Sequence, residues 1–196
     1  MPKIVDHDKR REKVAEATLR VIKREGMEQA TVRNIAKEAN MSVGSLRHYF
    51  SSQSELYVFT MNLVSDRVHQ RINQMNFGGP PLEVMLNLLK ELVPLNEDTR
   101  LEMEVWLAFT TKSLVDSRLR PLSEKVYEEL RGGMVHIIER LIHLDLAKAD
   151  LDKELEIERL YALIDGLAMH SILHPDKITS ERVEAVIEYH LQLLCK

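Results

Sequence analysis

Ala30-Thr31-Val32-Arg33-Asn34-Ile35-Ala36-Lys37-Glu38-Ala39-Asn40-Met41-Ser42-Val43-Gly44-Ser45-Leu46-Arg47-His48-Tyr49-Phe50 is the stretch on which the fold of this 196-residue chain turns. Val32, Ile35, Ala36 and Ala39 recur at helical spacing, and the hydroxyl of Thr31 suits the N-cap position before them. Asn40 and Met41 make a turn. Ser42 can cap a further helix that sends Leu46 and Phe50 inward and leaves Val43, Gly44, Ser45, Arg47 and His48 outside. Two short helices joined by a turn of three to four residues have the spacing of a helix-turn-helix, whose second helix lies in the major groove of DNA.

Upstream, Val14, Ala17, Thr18, Val21 and Ile22 fall at i, i+3, i+4, i+7 and i+8. They predict a helix from about Asp8 to Glu25, closed by Gly26. Downstream, a long helix over 53–74 follows a cap at Ser52 or Ser54. The loop Asn76-Phe77-Gly78-Gly79-Pro80-Pro81 ends that region. Further helices are predicted over about 81–93, 98–116, 120–145, 153–173 and 180–194, about nine in all. The expected fold is therefore all-α: a three-helix helix-turn-helix domain over 1–52, then a larger helical domain over 53–196.

Composition agrees. The chain is 44% hydrophobic and 30% charged with few Gly and Pro, which excludes a disordered chain and disfavours a turn-rich β-sandwich. Its one cysteine, Cys195, excludes an intrachain disulfide. Met1–Asp8 enters charged residues without a signal-peptide apolar stretch, and no run of about 18 apolar residues occurs, so a cytoplasmic chain with no membrane partner is expected. The net charge of −4 is uneven. Residues 1–50 hold 11 Lys and Arg against 7 Asp and Glu, and the remainder 16 against 24. A basic head has the sign that displaces counterions from a phosphate backbone, whereas the acidic remainder does not.

The quoted stretch closely resembles the DNA-binding signature of the TetR family of transcriptional regulators, usually T-V-x-x-I-A-x-x-A-G-V-S-x-G-x-L-Y-x-Y/H-F after a helix ending in Gly. The detailed likeness covers about residues 10–60. Asn40 stands where Gly is frequent, Arg47 where a backbone-directed Tyr is usual, and Gln53 where a Lys often opens the fourth helix. The resemblance implies a homodimer on a palindromic double-stranded DNA operator, most simply as a ligand-released repressor. It assigns Thr31, Ser42, Gly44 and Tyr49 to the sugar-phosphate backbone and Arg33, Ser45, Arg47 and His48 to base edges, with Arg47 able to hydrogen-bond phosphate or read guanine. Lys9, Arg10 and Arg11 could follow the backbone or enter the minor groove.

The last two helices carry more apolar residues than one face needs. Leu160, Ile164, Leu167, Val183, Ile187 and Leu191 are the candidates for pairing with a two-fold mate as a four-helix bundle. The Leu163-Ile164-Asp165-Gly166-Leu167 stretch also resembles the C-terminal domain of the branch that includes a regulator of choline and betaine metabolism. An inducer site is expected among the middle helices, with Phe59, Met103, Trp106, Phe109 and Met134 as apolar candidates and Thr110 and Tyr127 as polar ones. Ten aromatic residues in the whole chain do not favour an aromatic cage.

No nucleophile, phosphate or zinc-protease motif is present, so no enzyme and no cofactor is expected. His136, Glu139 and His143 share a helix face, and His170 with His174 repeats an i, i+4 spacing, but neither set supplies a full ligand shell and no metal is expected. The alternative function is a helical protein-interaction module without sequence-specific DNA binding.

Overall fold

The computed structural model describes the backbone from Lys3 and the side chains from Lys9 to the end, so the reading of the Met1–Asp8 side chains lies outside the described residues. The described residues form nine α-helices and two 3-10 turns, with a single antiparallel bridge between Ala147 and Cys195 in place of any strand. The all-α expectation holds.

The helices are α1 Lys3–Glu25, α2 Val32–Glu38, α3 Val43–Leu46, α4 Gln53–Gln74, α5 Pro81–Lys90, α6 Glu97–Ser113, α7 Arg120–His143, α8 Lys153–Leu173 and α9 Ser180–Leu194. Most ends have local chemical causes. Gly26 takes φ 84° and its N–H closes α1 onto the Ile22 carbonyl, a conformation cheap only for glycine. Ser52, not Ser54, caps α4: its Oγ accepts the Glu55 N–H at 3.2 Å, while Glu55 accepts back from Ser51. Ser54 instead donates to Asp116. Asp152 caps α8 and Thr179 caps α9 in the same manner. The helix expected over 120–145 stops at His143, because Asp145 enters the left-handed region at φ 56°.

The chain divides into two compact units. One runs to Arg67 and takes in Glu104–Arg120; the other holds Val68–Met103 and Pro121–Lys196. Helices α4 and α6 contribute to both.

In the first unit the stripe predicted on α1, Val14, Ala17, Thr18, Val21 and Ile22, is buried with Ile35, Ala36 and Ala39 of α2 and with Leu46 and Phe50. Burying the Val, Ile, Leu and Phe side chains among these stabilises by about 1.5–3 kcal/mol each before conformational entropy is counted. In the second unit Met85 and Leu89 of α5, Met134, Ile138 and Leu141 of α7, and the inward faces of α8 and α9 form one apolar cluster.

Candidate nucleic-acid interface

The helix-turn-helix is fixed by caps at both of its starts. Thr31 is extended and its Oγ1 accepts the Asn34 N–H at 3.2 Å. Ser42 is extended likewise, accepts the Ser45 N–H at 3.0 Å and donates its own proton to Ser45 Oγ. Between them Asn40 adopts φ 52°, and the Met41 N–H reaches back to the Ala36 carbonyl at 2.9 Å. Asn tolerates this left-handed turn better than most side chains, which explains why a residue other than glycine serves there.

α3 is short. Beyond Leu46 the chain tightens, with Tyr49 N–H on the Leu46 carbonyl, and Phe50 is carried inward onto Phe59 at a ring separation of 5.4 Å. Leu46 and Phe50 are thus the anchors that aim the outer face. Arg33, Ser42, Gly44, Ser45, Arg47 and His48 are exposed, and Thr31 and Tyr49 are half-buried. None of the eight expected DNA-contacting residues is buried in the core.

Arginines in this unit fall into two sets. Arg20 and Arg24 on α1 both reach the Glu38 carboxylate on α2 at 3.0 Å, so they brace the two helices and hold that carboxyl below its usual range, Arg20 first. Arg33 and Arg47 have no ion pair or hydrogen bond through their guanidinium groups among the described residues. Gly44 is informative too. A Cβ built there meets only Ser42 Oγ, at 3.8 Å, so the chain's own packing does not require glycine at that point. Gln53, where a lysine is usual, turns its amide toward the Ala30 carbonyl at 3.5 Å.

A basic face with free guanidiniums on a capped helix-turn-helix is a nucleic-acid-binding geometry, and the comparisons place it in a family. Residues 14–58 match the family described as bacterial regulatory proteins, tetR family, and residues 81–196 match the BetI-type transcriptional repressor C-terminal domain. The chain belongs to the TetR family of transcriptional regulators. It is 46% identical to the HTH-type transcriptional regulator PksA of Bacillus subtilis, over the whole chain and 94% of that protein. It is 28% identical to the regulator BetI of Vibrio campbellii, covering 97% of this chain and 94% of that one. A crystal structure of a transcriptional regulator from Rhodococcus superposes with a TM-score of 0.80 at 27% identity, over 94% of this chain and 95% of that one. The C-terminal likeness to the BetI branch, read from residues 163–167, thus extends over a whole domain. The protein is a regulator and not an enzyme.

The other residues singled out from the sequence scatter. Phe59 lines an open groove of about 300 Å³ in the first unit, between Arg11 and Ala15 of α1 and Leu63 and Asp66 of α4. Trp106 and Thr110 are half-buried and Phe109 fully buried in that unit, while Met103, Met134 and Tyr127 belong to the second. Met103 and Met134 are core. Tyr127 is 41% exposed and meets Tyr161 of α8 edge to face, ring centroids 5.3 Å apart.

Leu160, Ile164, Leu167, Val183, Ile187 and Leu191 are all buried inside the chain's own core. The apolar side chains that α8 and α9 leave exposed are Leu155, Met169, Leu173, Tyr189 and Leu193. Glu139 is engaged by Lys153 at 2.7 Å, and the rings of His170 and His174 stack 6.3 Å apart. Among the described residues no group of three or more His, Cys, Asp and Glu could hold a metal. No helix there is long and apolar enough to cross a membrane.

Two features escaped the sequence reading. Arg71, in the last turn of α4, grips Glu102 of α6 through both carboxylate oxygens at 2.8 and 2.7 Å and touches Glu91 at 2.6 Å. Glu102 is fully buried, and the clamp, led by Glu102, raises the guanidinium further above its usual range. Asp165, one turn beyond Tyr161, is half-buried, and burial pushes its carboxyl up to about 6. Neither shows a periodic signature, because the partners lie far apart in sequence or sit inside an apolar stripe.

Proposed function

We propose that this TetR-family chain is a ligand-released repressor that binds a palindromic operator as a homodimer. The observation that carries the reading is the outer face of the helix-turn-helix, where Arg33 and Arg47 stay free while Arg20 and Arg24 are spent on Glu38. Free guanidiniums at the groove-facing positions are what bidentate recognition of guanine or phosphate needs. Arg33, Ser45, Arg47 and His48 read base edges; Thr31, Ser42 and Tyr49 bind the sugar-phosphate backbone, and Gly44 lets it approach.

The dimer forms through α8 and α9, by the face that carries Leu155, Met169, Leu173, Tyr189 and Leu193, since the more regular stripe on the same helices is used within the chain. A small molecule bound in the C-terminal unit favours a form with a different spacing of the two reading heads. It weakens operator binding by the same factor by which DNA weakens its own binding.

The test is selection of DNA from a random duplex pool by the purified full chain at physiological salt, followed by sizing of the recovered complex. Recovery of an inverted repeat bound by two copies supports the reading. Recovery of no sequence above background overturns it.

A further inference from the structure

We propose that Tyr127, Tyr161 and Asp165 form a binding site for a small protonated amine. The inference rests on the reading that the C-terminal unit takes a small molecule, and it names the chemistry of that molecule and the side chains that hold it.

Three other carboxylates withdrawn from water each carry a cation, although Glu156 leaves its Oε2 without a hydrogen bond. Glu102 has Arg71, Glu156 has Arg159 at 2.6 Å, and Asp116 has Arg118 at 2.8 Å. Asp165 breaks that pattern: it is half-buried, yet it has no hydrogen bond or ion pair among the described residues. Arg131 of α7 does not fill the gap: it meets the first turns of α8, where Glu158 at 3.1 Å and Glu154 at 3.3 Å occupy it. A charge held away from water without a partner is costly, and a ligand that brings the missing cation recovers that cost on binding.

The rings beside it fit such a ligand. Tyr161 lies one turn before Asp165 on the same helix face, and Tyr127 stands edge to face against it from α7. Two phenol rings offer π-faces to a cation and two hydroxyl oxygens to an N–H. Two rings do not enclose a quaternary ammonium on all sides, and such an ion has no N–H for the carboxylate. A protonated amine supplies charge and donor together, so a primary ammonium on a short apolar chain is the best match. Asp165 remains partly open to solvent and Tyr127 is 41% exposed, which gives the ligand a way in.

The test is an NMR titration of the full chain with propylammonium chloride, with sodium chloride at equal ionic strength as control and tetramethylammonium chloride as the second probe. Expected is saturable binding at about millimolar strength, the range for so few heavy atoms. Asp165→Asn should weaken it more than tenfold and Tyr161→Leu several-fold, while Tyr161→Phe, which keeps the π-face, stays within about twofold. Circular dichroism confirms that each variant is folded. Shifts that do not saturate, or that sodium chloride reproduces, overturn the site, as does unchanged affinity in Asp165→Asn. Equal affinity for tetramethylammonium overturns the assignment to an N–H-bearing ligand. Operator affinity, measured in parallel, separates this site from the broader reading. Amine binding that leaves DNA affinity unchanged keeps the site and removes its regulatory role. Failure of the amine titration beside operator binding that another small molecule still releases removes the site and keeps the regulatory reading.

Discussion

Replacing Arg71 by Met tests the account of the buried clamp most directly. Glu102 has essentially no exposure and receives two hydrogen bonds from that guanidinium, so the variant strands a carboxyl away from water. Removing one partner of a buried ion pair costs about 3–5 kcal/mol, because it leaves a buried charge uncompensated. Arg71 is itself 31% exposed, so the vacated space admits water, and a deficit of about 2–3 kcal/mol is expected. Urea unfolding at matched protein concentration measures it. Adding Glu102→Leu should recover most of the loss, because an apolar pair leaves no stranded charge. A deficit under about 1 kcal/mol, or one that adding Glu102→Leu leaves unchanged, refutes this reasoning.

Arg47→Ala should change the slope of log affinity against log salt by about one if Arg47 meets phosphate, and should leave the slope alone while relaxing one operator position if it reads a base; binding assays over a salt series on matched and mismatched duplexes distinguish these. Ser42→Ala removes the cap of α3 and should cost about 1 kcal/mol in thermal unfolding, whereas Ser42→Thr should cost little. Asp165 has a raised folded value of about 6 against an unfolded value near 3.9, so its contribution is fully present below pH 3.9 and is lost as pH rises through 6. After allowance for solvent screening this amounts to about 1 kcal/mol, and Asp165→Asn should flatten the pH dependence of melting temperature between pH 4 and 6 by that amount.

The helix-turn-helix was legible because each of its determinants is local. Thr31 and Ser42 act within three residues, Asn40 within one turn, and the Val14 to Ile22 stripe within a single helix. Arg47 and Gln53 could be named as departures, but their surroundings could not, since Gln53 reaches back 23 residues to Ala30. On α8 and α9 the periodicity correctly shows apolar residues on more than one side. It does not say which side the chain covers itself: Leu160, Ile164 and Ile187 lie in a core completed by α5 and α7, and a helical wheel carries no knowledge of those neighbours. Arg71 and Glu102 are 31 residues apart and each alone reads as solvated surface. Asp165 sits within an apolar run, and its lack of a partner is a fact of three dimensions.

The sharing of α4 and α6 between the units bears on how this regulator can be rebuilt. A reading head cut at residue 52 would discard Leu56, Tyr57, Met61 and Val64, all buried in the first unit, together with Asp116 that receives the Ser54 hydroxyl. A chimaera that swaps DNA specificity should therefore carry the donor's α4 through Arg67 and its Glu104–Arg120 segment as well. The transplant is two pieces of chain, not one.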